Sequence, residues 1–135
     1  MLPIIALALN LQAIAAGTAE ERNIGIPGSG EWYLESAVFV PSTTSAIDAT
    51  NTATITLKFG TGGSTIATLT NGTVAFTKGT ARAFDLSSVA ASLREFSAGA
   101  GTDTLEAAVS HAASGSVVDG TITLIFSKMA RDAAG

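Results

Sequence analysis

The sequence predicts an all-β protein: an antiparallel β-sandwich of jelly-roll-like topology, carried behind an extended N-terminal arm. Three observations predict it. From Trp32 onward, apolar and polar residues alternate with the period of two that a half-buried strand requires. Gly- and Thr-rich turns break that alternation about every 8 to 12 residues, the spacing of short sandwich strands. The first 30 residues differ in kind, with an uncharged apolar run followed by a Gly-rich stretch. Residues 1–30 are therefore read as arm and linker, and residues 31–135 as the sandwich domain.

The elements follow in order. "MLPIIALALNLQAIAAG" is apolar, and "GTAEERNIGIPGSGEW", with Pro27 and the charges of Glu20, Glu21 and Arg22, reads as a linker. "EWYLESAVFV" is the first strand of the domain, closed by Pro41, which has no N–H for a ladder. After the polar "PSTTSAIDATN" comes "TATITLKFG", with Ile55, Leu57 and Phe59 on one side and Thr54, Thr56 and Lys58 on the other. "GTGG" at residues 60–63 turns the chain into "STIATLTN". Asn71-Gly72 reads as a two-residue hairpin because both central positions of a type I′ turn need positive φ. "TVAFTKG" and "TARAFDL" are then expected as paired or adjacent strands. In "SSVAASLREF", Val89, Leu93 and Phe96 fit helical spacing, so a short helix or an irregular crossover is expected. "TDTLEAAVSH" resumes as a strand. "AASGSVVDG" is a loop ending at Asp119-Gly120, and "TITLIFSKM" closes the domain. Its core set is either Ile122, Leu124 and Phe126 or Thr123 and Ile125.

Composition narrows the function. The chain has 135 residues, 47% hydrophobic and only 13% charged, with a formal net charge of -4 and no cysteine. Disulfides and thiolate metal sites are excluded. A surface of Thr, Ser, Ala and Gly loses water at far lower cost than one of Lys and Glu, which suits flanks meant to be covered. Arg22, Lys58, Lys78, Arg82, Arg94, Lys128 and Arg131 are scattered, so no phosphate-tracking stripe forms and no nucleic-acid partner is expected. Asn10 and Gln12 interrupt the leading apolar run well short of the roughly 20 residues a membrane helix needs, so no membrane partner is expected. A secretory signal would end near Ala16, but no Lys or Arg precedes the apolar run.

No residue pattern points to catalysis, and neither a cofactor nor a metal is expected. His111 is the single histidine, and its neighbour Ser110 points to the opposite face of a strand, which defeats a nucleophilic couple. Asp48, Asp103 and Asp119 fall in turn contexts without ligand spacing. "GTGG" lacks the helix and lysine of a phosphate loop. Trp32 and Tyr33 are adjacent, so alternation sends one ring inward and leaves at most one free to stack on a sugar.

The succession "WYLESAVFVPSTTSAIDATNTATITLKFG", "STIATLTNGTVAFTKGTARAFDLS" and "GTDTLEAAVSHAASGSVVDGTITLIF" resembles the small β-sandwich virion proteins of tailed bacteriophages, often capsid decoration or cement proteins. The shared features are the "VFVP" strand stop, the Thr- and Asn-rich approach to an alternating strand, the "DTLE" strand entry and the "DGTITLIF" close, over residues 31–128. The resemblance implies a non-enzymatic protein on the outer capsid surface of the virion, assembled in the host cytoplasm. It also implies binding to the major capsid protein at capsomer junctions, commonly as a homo-trimer at three-fold or quasi-three-fold positions. The arm lies outside it. On the residues themselves, the apolar run is expected to lie on a neighbour, with Leu2, Ile4, Ile5, Leu7, Leu9, Leu11 and Ile14 as partner-binding side chains. Deleting residues 1–16 should then leave the domain folded and weaken shell attachment. A head- or tail-fibre module holding a glycan near Trp32 or Asp48 is the alternative. A secreted adhesin, cleaved near Ala16, is a third reading.

Overall fold

The computed structural model describes residues 3–14, 19–60, 62–99, 103–112 and 117–129. Among these residues the strands are β1 (Ile4–Ile14), β2 (Glu20–Gly25), β3 (Glu31–Pro41), β4 (Ala53–Phe59), β5 (Ser64–Thr70), β6 (Arg82–Ala83), β7 (Glu95–Ser97), β8 (Thr104–His111) and β9 (Val118–Lys128). The first sheet runs β1, β9, β3, with the short β6 and β7 both on the far side of β3. The second runs β2, β8, β4, β5. All pairings are antiparallel.

The order has a simple origin. β1 pairs β9, β2 pairs β8, β3 pairs β6 and β7, and β4 pairs β5. The chain is thus one long hairpin whose tip is the β4–β5 turn. Rolling it up adds the contacts of β9 with β3 and of β8 with β4. This is the jelly roll, an antiparallel sandwich of two packed layers. Gly60 and Gly62, with φ of 78° and 66°, form the tip where L side chains would be strained.

Alternation builds the core. Ile55 and Leu57 of β4, Leu105, Ala107 and Val109 of β8, Leu34 and Phe39 of β3, and Ile122, Leu124 and Phe126 of β9 are buried between the sheets. The expected alternative of Thr123 and Ile125 faces outward. Phe96 of β7 sits where the layers meet: it stacks on Phe59 at 4.5 Å and 25°, and meets Phe126 edge-on at 5.6 Å and 87°.

The expected arm is instead the first strand of the first sheet. Ile4 aligns with Ser127, and the register holds to Leu11 against Gly120 before a bulge leads to Ile14 against Val118. Leu9, Leu11 and Ile14 are buried in the parent core, and Ile5 and Leu7 pack half-buried against it. Those five side chains are therefore turned toward this fold. Ile4 alone of the described set is exposed, and Leu2 lies outside the described residues. The expected linker is corrected too, because "EERNIG" is β2, with Ile24 turned to the core. A boundary at residue 30 therefore does not part an arm from a domain, since β1 and β2 each complete one sheet.

Other local expectations give way to tertiary demand. Asn71-Gly72 makes no hairpin. The Asn71 side chain is buried, accepting the Ala53 N–H at 2.9 Å and donating to the Ala46 carbonyl at 3.0 Å. "TVAFTKG" contributes one bridge, Phe76 with Ser45, and "TARAFDL" only the two residues of β6. Arg82 holds this irregular run in place by donating to the carbonyls of Thr70 at 2.7 Å and Val74 at 3.1 Å. The region expected as a helix or crossover holds a single 3-10 turn, Ala91–Leu93.

Asp119-Gly120 lies within β9 and not in a loop. A Cβ on Gly120 would sit 2.4 Å from the Val40 carbonyl oxygen and 2.6 Å from Phe39 Cε1. Gly120→Ala should therefore destabilise by about 2–3 kcal/mol, because overpacking against backbone outweighs the roughly 0.5–1 kcal/mol that Ala ordinarily gains in a strand. A urea midpoint equal to or above that of the parent would refute this reading of the close approach.

Candidate functional site

The outer face of the first sheet carries the candidate site. Four rows cross it in register: Ile4, Ser127 and Tyr33; Ala6, Ile125 and Ser36; Ala8, Thr123 and Val38; Asn10, Thr121 and Val40. None of these residues is charged, and each is exposed or half-buried. Rows lie about 7 Å apart and strands about 4.8 Å apart, so the face is about 20 Å long and 10 Å wide. Its hydroxyls are partly self-satisfied, as when Thr121 Oγ1 donates to Asn10 Oδ1 at 3.0 Å.

Charges among the described residues gather at the margin of this face, and Glu95, opposite Tyr33 in register, extends the first row. A bulge between Leu34 and Ser36 displaces Glu35, whose carboxylate accepts from Ser127 Oγ at 2.7 Å. Arg94 satisfies the backbone that the bulge frees. Its Nε donates to the Leu34 carbonyl at 2.9 Å, its own carbonyl accepts the Leu34 N–H at 2.7 Å, and its guanidinium lies 4.5 Å from the Tyr33 ring centroid. Asp119 follows the row of Thr121 at the other end. An uncharged centre with charges at its margin is the layout of a protein contact surface, where buried charge is costly and rim charge is not.

The second sheet's outer face is different. A groove of about 420 Å³ lies there, lined by Glu21, Thr56, Lys58, Ala108 and Ser110 among others. Beside it Glu106 of β8, between Asn23 and Lys58 in register, is fully buried. Its Oε1 accepts the Gly62 N–H at 3.4 Å, and its Oε2 has no hydrogen-bond partner among the described residues. Such a carboxylate could ligate a cation, but no group of three His, Cys, Asp or Glu suited to a metal ion stands among the described residues. In β2, Glu20 pairs with Arg22 at the surface, an ion pair of small energetic weight.

The sugar sites considered from sequence are occupied by structural roles. Trp32 is the inward ring, 6% exposed, and its indole N–H donates to the Ser29 carbonyl at 3.1 Å. Tyr33 points outward and carries Arg94. Asp48 accepts the N–H groups of Asn51 at 2.8 Å and Thr50 at 3.1 Å, and the Asn51 bond is the main cause holding its carboxyl below the ordinary aspartate value. Asp103 accepts the Ser97 N–H at 2.8 Å. His111 ends β8, half-buried.

No helix among the described residues is long and apolar enough to cross a membrane. No protein-family model and no curated protein sequence matches this chain. Sequence reasoning passed over Val38, Val40 and Thr121, weighed Tyr33 only as a sugar platform, and offered Thr123 and Ile125 only as a core set. The signal that could have found them was the second set of alternate positions on each strand, which carries no charge over its central stretch.

Proposed function

We propose that the chain is a structural virion protein that binds the outer surface of a bacteriophage capsid at capsomer junctions and stabilises the shell, with no catalytic role. The observation that supports this best is the uncharged outer face of the first sheet, bounded by Glu35, Arg94 and Asp119. Bringing such a face against the major capsid protein strands no ionised group, so apolar burial is not spent on desolvating charge. Binding rests on this folded face and not on an arm. Clustering around three-fold or quasi-three-fold positions belongs to the same proposal.

Charge placed at the centre of the face is the direct test. Ile125→Lys should weaken binding to shells lacking this protein by about 10- to 100-fold, while Thr68→Lys on the opposite sheet leaves it unchanged. Equal binding by both variants and the parent would remove the face from the proposal. The groove over the second sheet supports the fibre alternative, in which Glu21, Thr56 and Lys58 would contact a glycan. A copy number near that of the major capsid protein in purified particles favours decoration, whereas few copies together with glycan binding favour the fibre.

A further inference from the structure

Among the described residues β1 has a free edge, and that edge has its own chemistry. Lys128 N–H donates to the Pro3 carbonyl at 2.9 Å, which fixes the hydrogen-bonding phase of the β1–β9 ladder. In an antiparallel pair the bonded positions alternate, so residues 3, 5, 7, 9 and 11 face β9 with their backbone. The N–H and C=O groups of Ile4, Ala6, Ala8 and Asn10 consequently point away from it. β1 ends its sheet, and the other described segment that packs beside it is β2 of the opposite layer.

Edges of this kind are normally guarded by charge, by proline or by brevity. β2, the neighbouring edge, is guarded by Glu20, Glu21 and Arg22. β1 is 11 residues long, with neither a charge nor a proline in "IIALALNLQAI". Its bulge begins only after Leu11, which leaves residues 4–10 straight enough to pair.

We propose that β1 is a self-pairing edge: two copies of the chain join antiparallel about a two-fold axis at Leu7, continuing the first sheet through both molecules. The sequence is self-complementary in that register. Ile4 meets Asn10 of the second copy and Ala6 meets Ala8, so the outward-directed backbone groups form about eight hydrogen bonds. The small side chains of Ala6 and Ala8 leave the outer face open. On the inner face Leu7 meets Leu7, and Ile5 meets Leu9, covering the two side chains that the lone fold leaves half-buried. The contact is isologous and closed, which ends growth at a pair. The uncharged outer face then runs across both copies. The pairing itself does not depend on the identity of any shell partner.

Light scattering and a cysteine probe test it with the purified full chain, with no capsid present. The mass should rise from the 13.5 kDa monomer toward a dimer between about 1 μM and 1 mM, as a short contact requires. Ala8→Pro removes an outward N–H without touching the β9 ladder and should leave a monomer with an unchanged circular dichroism spectrum. Since the chain has no cysteine, Leu7→Cys should give an oxidised dimer readily, because positions opposed across a non-hydrogen-bonded pair lie within disulfide reach. Gln12→Cys, beyond the paired stretch, should cross-link slowly. A monomer at every concentration overturns the proposal, as does any oligomer that survives Ala8→Pro, a trimer included. Equal cross-linking through positions 7 and 12 overturns it as well.

Discussion

A chain lacking residues 1–14 is expected to lose cooperative folding. Leu9, Leu11 and Ile14 are among the most buried side chains of the molecule, and Ile5 and Leu7 add partial burial. At about 1.5–3 kcal/mol for each fully buried aliphatic side chain, three of them contribute roughly 5–9 kcal/mol. That equals much of the 5–15 kcal/mol typical of a whole domain. The deletion also strips β9 of one of its two ladders and opens one side of Ile122, Leu124 and Phe126 to water. Loss of the sigmoidal urea transition and of amide dispersion in the NMR spectrum is the expected result. A truncated chain that still melts cooperatively near the parent midpoint would restore the arm reading and undo the topology described for β1.

The second large effect is expected at Phe126. Its ring is fully buried and completes the group in which Phe96 stacks on Phe59 from the opposite layer. Phe126→Ala should cost about 3–5 kcal/mol, the sum of lost transfer energy and the cavity left between sheets that cannot collapse together. Phe59→Ala should cost less, because Phe59 is only half-buried. Paired denaturation curves decide this, and a Phe126→Ala loss under about 1 kcal/mol would mean the two sheets do not meet through these rings.

Much of the fold was legible where local pattern and tertiary environment agree. β3, β4, β8 and most of β9 follow alternating stretches, and the Gly-rich tip between β4 and β5 behaves as its residues require. The misreadings share a cause. The first half of "IIALALNLQAI" hides its alternation, because the outward Ile4, Ala6 and Ala8 look as apolar as the inward residues and only Asn10 and Gln12 are polar. An edge strand so composed cannot be told from a loose arm without its partner. Asn71 carried a turn signal, but its amide was the group best placed to satisfy buried backbone at Ala53 and Ala46. Asp119-Gly120 carried another, yet the missing Cβ serves the close approach of Phe39 and Val40.

The site was less legible than the fold. The absence of cysteine and the low charge of the chain pointed to contact surfaces and away from thiolate chemistry. They could not say which surface. Whether Ile125 lies beside Ala6 and Ser36 depends on the register of three strands drawn from opposite ends of the chain.

The sequence by itself determined the strand-forming character of the chain, its inward residues on β4 and β9, its hairpin tip, and a surface poor in charge, because these depend on period and composition alone. Only the tertiary structure decided that the N-terminal run is a core strand, that β9 runs between β1 and β3, and that four uncharged rows align on one face. Those are long-range pairings, and a side chain's local preference carries no information about which distant strand will satisfy its backbone.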